Sequence, residues 1–314
     1  MSNSQNSSTT TGAISVAASS SKADIVTTPK GLMTAFSAFL IWGVFPLYFK
    51  QLAHYDAVEV IVHRVVWTFV LLAVVMVIGR RRAWLACVKA RPKWLLLTFV
   101  AALLIGTNWL TYVWAVAHDR VLEASLGYFI NPLVGVALSM LIFKEKLRPL
   151  QKWAVVFAAV AVGVQLAMFG GVPWVSLLLA LSFAFYGVIQ RQTPFDAIDG
   201  LFLETLLLLP LCLIWLNFAD VASSVPSFWW SSAVWLLMLA GPITLLPLLL
   251  YNQSTKQVNF NTLSFMGYLT PSLVFLLAVF YYREPFDVRS LLVFGLIWTG
   301  LAIFSVDLLR HRKA

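Results

Sequence analysis

Charge is what this sequence has least of. Only 11% of its 314 residues are Asp, Glu, Lys or Arg, against about 25% in soluble globular domains. Such a chain cannot clothe itself in a water-facing surface, which excludes an ordinary soluble fold. Cysteine is nearly absent too. Cys87 falls in a basic loop and Cys212 inside an apolar run, so neither a disulfide framework nor a zinc spacing is present. GxxxxGK[ST] and HExxH are missing, and no soluble stretch could host an ATPase. No cofactor or metal is therefore assigned, and any work must draw on a gradient. Acidic residues are also few, leaving a net charge of +9. Basic loops on the inner side of a membrane explain that excess more simply than a nucleic-acid partner does.

What is abundant is apolar length: 61% of residues are hydrophobic. A bilayer core of about 30 Å needs about 20 apolar residues per helix. By that rule ten spans are expected, near 31–49, 57–79, 94–116, 121–143, 151–169, 173–190, 199–218, 228–250, 260–281 and 289–308. Residues 1–29 read as a disordered Ser/Thr-rich tail, and 310–314 as a short basic one. Gly170-Gly171-Val172-Pro173 reads as a tight turn between the fifth and sixth spans. With both termini cytoplasmic, the inner loops and tails receive seventeen Lys and Arg residues. The outside receives four, Lys50, Arg120, Arg283 and Arg289. That asymmetry sets the expected orientation and supports an even count. Trp84, Trp94, Trp153, Trp174, Trp229, Trp230, Tyr281 and Tyr282 fall at span ends, where aromatic anchors belong.

The stretch 122–148 recurs. Displaced by 139 residues, Pro132 falls on Pro271, Asn131 on Thr270, and Lys144-Glu145 on Arg283-Glu284. Asp56-Ala57-Val58-Glu59 resembles Asp196-Ala197-Ile198-Asp199 at an offset of 140. Two units of five helices follow, 30–170 and 171–309. Five is odd, so the second unit runs through the membrane the opposite way. The expected fold is an all-α integral membrane protein of ten transmembrane helices, two inverted five-helix repeats around a central cavity. Inverted repeats of this kind characterise secondary transporters, whose substrate sites lie near the midplane between halves.

Several segments are also familiar: His63-Arg64-Val65-Val66-Trp67, Asn108-Trp109, EASLGYFINPL at 123–133, SFAFYG at 182–187 and ETLLLLP at 204–210. Through them the chain resembles the RarD group of the EamA-type drug/metabolite transporters over about 30–308. The resemblance implies a ten-helix fold with a cavity between halves, a plasma-membrane location and export of small molecules. The group's name carries an association with chloramphenicol sensitivity or resistance.

Candidate site residues are the polar and aromatic ones that lipid would not tolerate. Arg64 lies about 12 Å inside the second span, and Glu204 about 9 Å inside the seventh from the other surface. A charge deep in a helix costs about 2.5–3.5 kcal/mol and normally faces a cavity or a partner. Across a core of about 30 Å the two are separated by about 9 Å along the normal. They form either a substrate or proton-coupling site or a structural ion pair between halves. His63 titrates near neutral pH, but its side chain points about 100° from that of Arg64. Glu123 starts the fourth span, as a helix cap or a gate for protons or substrate. Asn108 and Tyr112 share a helix face, as do Tyr128 and Asn131, and the amides must hydrogen-bond within protein or a wet cavity. Pro132 frees the carbonyl of Tyr128 and Pro271 that of Gly267, giving each half a hinge. Gly127, Asn131, Gly135 and Ser139 form a small-residue stripe read as helix packing. Trp42, Tyr48, Phe185, Tyr186, Tyr251 and Tyr268 are candidate cavity lining. Trp42 and Tyr186 lead because each precedes a glycine at a similar place in its half.

The function expected is a secondary transporter exporting small organic metabolites or drugs by alternating access. Its substrate would be amino-acid-like, amphipathic or aromatic, with the proton as candidate coupling ion and membrane lipids as its surroundings. A non-transporting sensor or assembly subunit would be marked by a substantial soluble domain or loop. A membrane enzyme would need a polar catalytic cluster near an interface. The outer loops offer only 50–59, 118–123 and 283–287 for that purpose.

Overall fold

The computed structural model describes residues 27–311 except 53, 119, 170–171, 231–232, 282 and 284–287. The sequence readings at 1–26, Gly170-Gly171, Tyr282, Glu284, Arg312 and Lys313 lie outside the described residues. Within them the chain is all helix, turn and loop. The helices are α1 (Pro29–Gly43), α2 (Phe45–Phe49), α3 (Ala57–Ile78), α4 (Ala83–Ala90), α5 (Lys93–Ala117), α6 (Val121–Ile142) and α7 (Pro149–Phe169). Then follow α8 (Trp174–Gln192), α9 (Ala197–Phe218), α10 (Ala233–Ser254), α11 (Phe260–Met266), α12 (Leu269–Leu276) and α13 (Val288–His311).

Ten spans emerge. Among the described residues, nine helical segments are long and apolar enough to cross a membrane, and α6 adds the apolar stretch Leu126–Ile142. The first span is α1 with α2, broken at Val44 just before Pro46. The ninth is α11 and α12 running into a π-helical turn, Leu277–Tyr281. Two details depart from the sequence reading. The eighth span begins at Ala233 rather than near 228, because Pro226–Trp230 forms a 3-10 turn pinned by a bond from Trp229 Nε1 to the Ser223 carbonyl (3.0 Å). The basic 80–92 loop contains α4, whose Trp84 ring lies 5.8 Å from that of Phe202.

The repeat is visible in local conformation. Asp56 caps α3 by accepting from the N–H groups of Val58 (2.8 Å) and Glu59 (3.2 Å), and Asp196 caps α9 by accepting from Asp199 (2.9 Å). An aspartate is among the best N-caps because its carboxylate satisfies donors the helix leaves open. Lys144 and Arg283 take the same left-handed turn, with φ of 57° and 53°.

Packing follows the same two-fold pattern. Equivalent spans meet each other: α3 packs on α9, α6 on α11, and α7 on α13. Contacts between non-equivalent spans also recur in matched pairs. Thus α5 on α8 mirrors α10 on α1, and α5 on α9 mirrors α10 on α3. Polarity is distributed inside-out for water but correctly for lipid. Glu59, His63, Arg64, Glu123 and Glu204 are buried, whereas Val77, Ile78, Leu141 and Phe218 are largely exposed. A continuous exposed apolar perimeter of this kind marks a membrane-facing surface.

The two prolines expected as hinges behave differently. α6 passes through Pro132 unbroken, while the ninth span breaks at Gly267-Tyr268, four residues before Pro271. Pro271 cannot donate to the Gly267 carbonyl, which accepts from the Thr270 N–H instead (3.3 Å). Glycine costs about 1 kcal/mol relative to alanine in a helix, so the break falls there. The equivalent residue of α6 is Tyr128, which gives the helix no such weak point.

Candidate functional site

Four loops and both described ends of the chain lie at one face of the bundle, called here the terminal face. The polar interior is arranged between it and the opposite, far face. Nearer the terminal face, Glu204 is buried in α9 and held by neutral donors. Tyr186 Oη donates to its Oε2 (3.3 Å), and Gln190 Nε2 contacts Oε1. Asn252 Nδ2 donates to the Tyr186 hydroxyl (2.9 Å), linking α8, α9 and α10. No cation reaches Glu204 among the described residues.

Arg64 lies closer to the far face, on α3. Its Nε donates to Thr244 Oγ1 of α10 (2.9 Å). The Trp109 and Phe49 rings stand 4.4 and 5.1 Å from its Cζ, and the phenols of Tyr128, Tyr48 and Tyr112 lie within electrostatic range. The Arg64–Glu204 ion pair admitted by the sequence does not form. α3 and α9 pack directly, but Arg64 turns toward α5 and α10 while Glu204 turns toward α8. Depth along the normal carries no information on such rotation about the helix axis. His63 faces elsewhere again. Its Nδ1 accepts from Trp67 Nε1 (3.1 Å), and its Nε2 is buried without a partner beside Phe228 and Trp229.

Between these two poles lies an aromatic cluster. Trp42 is in ring contact with Phe39, Phe183 and Tyr251 at 5.5–5.6 Å, and Tyr186 stacks on Tyr251. A narrow cleft of about 10 Å³ opens beside it, bordered by Asn131, Phe183, Tyr251, Phe260 and Ser264. Trp42 and Tyr186 thus meet the same third ring. The Asn131 amide borders the cleft and makes no hydrogen bond to a described residue. At Gly135 a side chain would collide with Ser264, its Cβ falling 2.3 Å from Oγ. The glycine is therefore what lets α6 and α11 cross at the cleft floor, as the packing reading of the small-residue stripe required.

The other sequence candidates have these partners. Asn108 Nδ2 donates to the Leu179 carbonyl (2.9 Å) and to Ser182 Oγ (3.0 Å), tying α5 to α8. Tyr112 and Tyr128 meet edge to face at 5.9 Å. Glu123 caps α8 rather than its own helix. It accepts from Val175 N–H (3.0 Å) and from Arg120 (3.2 Å), while its carbonyl takes the Ser176 hydroxyl. Tyr268 is buried against Phe265, its hydroxyl unpartnered, away from the cleft. Phe185 points outward.

At the terminal face, among the described residues, three arginines form ion pairs that join the halves. Arg191 meets Glu145 (2.6 Å), both buried, with the guanidinium over the Phe143 ring at 4.2 Å. Glu145 also accepts from the N–H groups of Phe260 (2.7 Å) and Asn261 (2.8 Å) at the start of α11. Arg148 meets Asp307 (2.6 Å), and Arg81 meets Asp199 (2.8 Å) and Asp196. The Arg81 guanidinium is held above its ordinary pKa, first by its hydrogen bond to Asp199. Lys256 donates to the carbonyls of Thr193 and Phe195, and its burial pushes the ammonium pKa down against the opposing charge of Asp196.

Gln190, Asn252 and Thr244 were missed from sequence. The first two were discoverable by the rule that selected Asn108, an amide inside an apolar span. Thr244 was not, because threonine satisfies itself on its own helix and carries no such signal.

The EamA-like transporter family matches the chain twice, over residues 29–166 and 170–306. An uncharacterized transporter of Pseudomonas aeruginosa is 44% identical over 90% of this chain and 96% of its own length. The RarD protein of Escherichia coli is 40% identical over 90% and 96%. A second Pseudomonas aeruginosa protein, named chloramphenicol-sensitive protein RarD, is 30% identical over 88% and 94%. A solved crystal structure, 20% identical, superimposes with a TM-score of 0.63 over 88% of this chain and 98% of its own. That likeness concerns the fold.

Proposed function

The chain belongs to the EamA-like transporter family, and from that premise we propose a secondary transporter that exports small organic metabolites or drugs by alternating access. It is a multi-pass membrane protein; in this proposal it sits in the inner (plasma) membrane with its terminal face, and hence both termini, in the cytoplasm. The excess of Lys and Arg in the terminal-face loops supports that orientation.

One observation carries the reading. Repeat-related spans meet in pairs around a polar and aromatic interior that holds an arginine and a glutamate not paired with each other. Lipid-embedded charges are tolerated where they face a pathway or a partner, and the junction of inverted repeats is where transporters place their substrate. The halves 30–170 and 171–309 are the moving units. The Glu145–Arg191, Arg148–Asp307 and Arg81–Asp199 pairs are the contacts that part when the terminal face opens. Glu204, buried and held by neutral donors, is the candidate proton-coupling group.

Purified protein in liposomes, with and without an imposed proton gradient, provides the test. Amino acids, related metabolites and chloramphenicol are the first substrates to screen, the last because of the name one relative carries. Saturable flux of one of them, altered by the gradient, is the expected result. Correctly folded protein that moves none would favour a sensor or assembly role.

A further inference from the structure

Arg64 is 4% exposed, and of its guanidinium nitrogens only Nε finds an acceptor, Thr244 Oγ1. A guanidinium carries five N–H groups, so the four on the two Nη atoms are without a hydrogen bond to any described residue. No carboxylate comes within ion-pair distance of it among the described residues. The acidic groups of the neighbouring spans are all engaged elsewhere. Glu59 accepts from the Ser223 N–H (2.6 Å), Glu123 from Val175 and Arg120, and Glu204 from Tyr186 and Gln190. Trp109 and Phe49 supply π density but no lone pair for the Nη hydrogens. An uncompensated buried charge is costly, and no other described residue offsets it.

We infer that the Nη edge of Arg64 is the docking point for the carboxylate of an organic monoanion, whose apolar body lies against the rings of Trp109, Tyr112 and Tyr128. The inference rests on the transporter reading and names its substrate class. A planar carboxylate matches the guanidinium fork with two parallel hydrogen bonds. One guanidinium balances one negative charge, so a phosphate dianion would remain half uncompensated in this buried site. The Tyr112 and Tyr128 hydroxyls beside the arginine can donate to carboxylate lone pairs that the fork leaves open, whereas that of Tyr48 is spent on the Leu236 carbonyl (2.7 Å). The rings surrounding it favour an aromatic or otherwise apolar body over a sugar.

The test is equilibrium binding to the full-length protein in detergent, read by isothermal titration calorimetry with three probes of one shape. They are 3-phenylpropanoate, its neutral amide and 3-phenylpropylamine. Wild type should prefer the carboxylate over the amide by about tenfold to a hundredfold, the worth of a charge-assisted hydrogen bond, and show no heat with the amine. Arg64→Gln should bind carboxylate and amide alike, and Arg64→Lys should retain a weakened preference. Equal binding of the acid and amide by wild type, or a preference that survives in Arg64→Gln, would overturn the assignment. So would binding of none of the probes, or equal competition by inorganic phosphate or chloride. Since wild-type selectivity alone can refute it, misfolding of a variant does not protect the proposal. Carboxylate selectivity without flux in liposomes would instead leave the site standing and remove the transport reading.

Discussion

The Pro132 ring packs against Gly267, its Cγ 3.4 Å from where a Cβ on that glycine would lie. α6 runs unbroken through Pro132, so the proline of the fourth span touches the break of the ninth where α6 and α11 cross, beside the cleft.

That crossing depends on small residues. Gly135→Ala should destabilise the protein by about 1–3 kcal/mol through overpacking, because its new methyl meets Ser264. Gly135→Ala with Ser264→Gly should recover most of the loss in thermal unfolding in detergent. Unchanged stability in the single variant would show that the two spans do not cross as closely as described.

The terminal-face pairs should respond differently to charge reversal. Arg148→Asp with Asp307→Arg keeps two complementary partners at the edge of the bundle and should regain much of the stability lost in either single variant. Glu145→Arg with Arg191→Glu should not, because the Glu145 carboxylate also accepts from the Phe260 and Asn261 N–H groups, which an arginine cannot satisfy. Breaking a buried pair costs about 3–5 kcal/mol. Double-mutant cycles on thermal stability separate the two cases, and full rescue at 145 and 191 would contradict the capping role.

Lys144 and Arg283 pay for their shared left-handed turn. A non-glycine residue there costs about 1–2 kcal/mol, and glycine avoids most of it. Lys144→Gly and Arg283→Gly should each raise thermal stability slightly, while Lys144→Val lowers it. A drop on either glycine substitution would mean that the side chain, rather than the turn, matters at that position.

Glu204→Gln tests the coupling role. The amide can still hydrogen-bond with Tyr186 and Gln190, so the protein should fold, with a stability change of no more than about 1–3 kcal/mol. Its flux in liposomes should no longer respond to a proton gradient. A gradient response equal to wild type would exclude Glu204 as the coupling group.

Much of the architecture was legible in the sequence because lipid imposes one rule on every span. Nine expected spans agree with helices to within a few residues. The eighth slipped because Phe228, Trp229 and Trp230 continue the apolar run while Pro226 and Trp229 hold a separate turn. The repeat was readable from Asp56 and Asp196, and from Lys144 and Arg283, since caps and turns are local and keep their residue types. The site was less legible. Sequence named Arg64, Glu204, Trp42 and Tyr186 but left open whether the first two pair with each other, because helix rotation is set by tertiary packing. Tyr268 and Asn108 carry the same sequence signal as Tyr186 and Asn131, and only their neighbours distinguish core or helix glue from cleft.

In the proposed cycle the halves part at the terminal face for substrate to move. Arg148→Cys can be cross-linked to Asp307→Cys, in a background with Cys87 and Cys212 replaced by serine, using a short bifunctional thiol reagent cleavable by reductant. Cross-linked protein in liposomes should lose flux, and reductant should restore it. Flux unchanged by a complete cross-link would contradict that cycle.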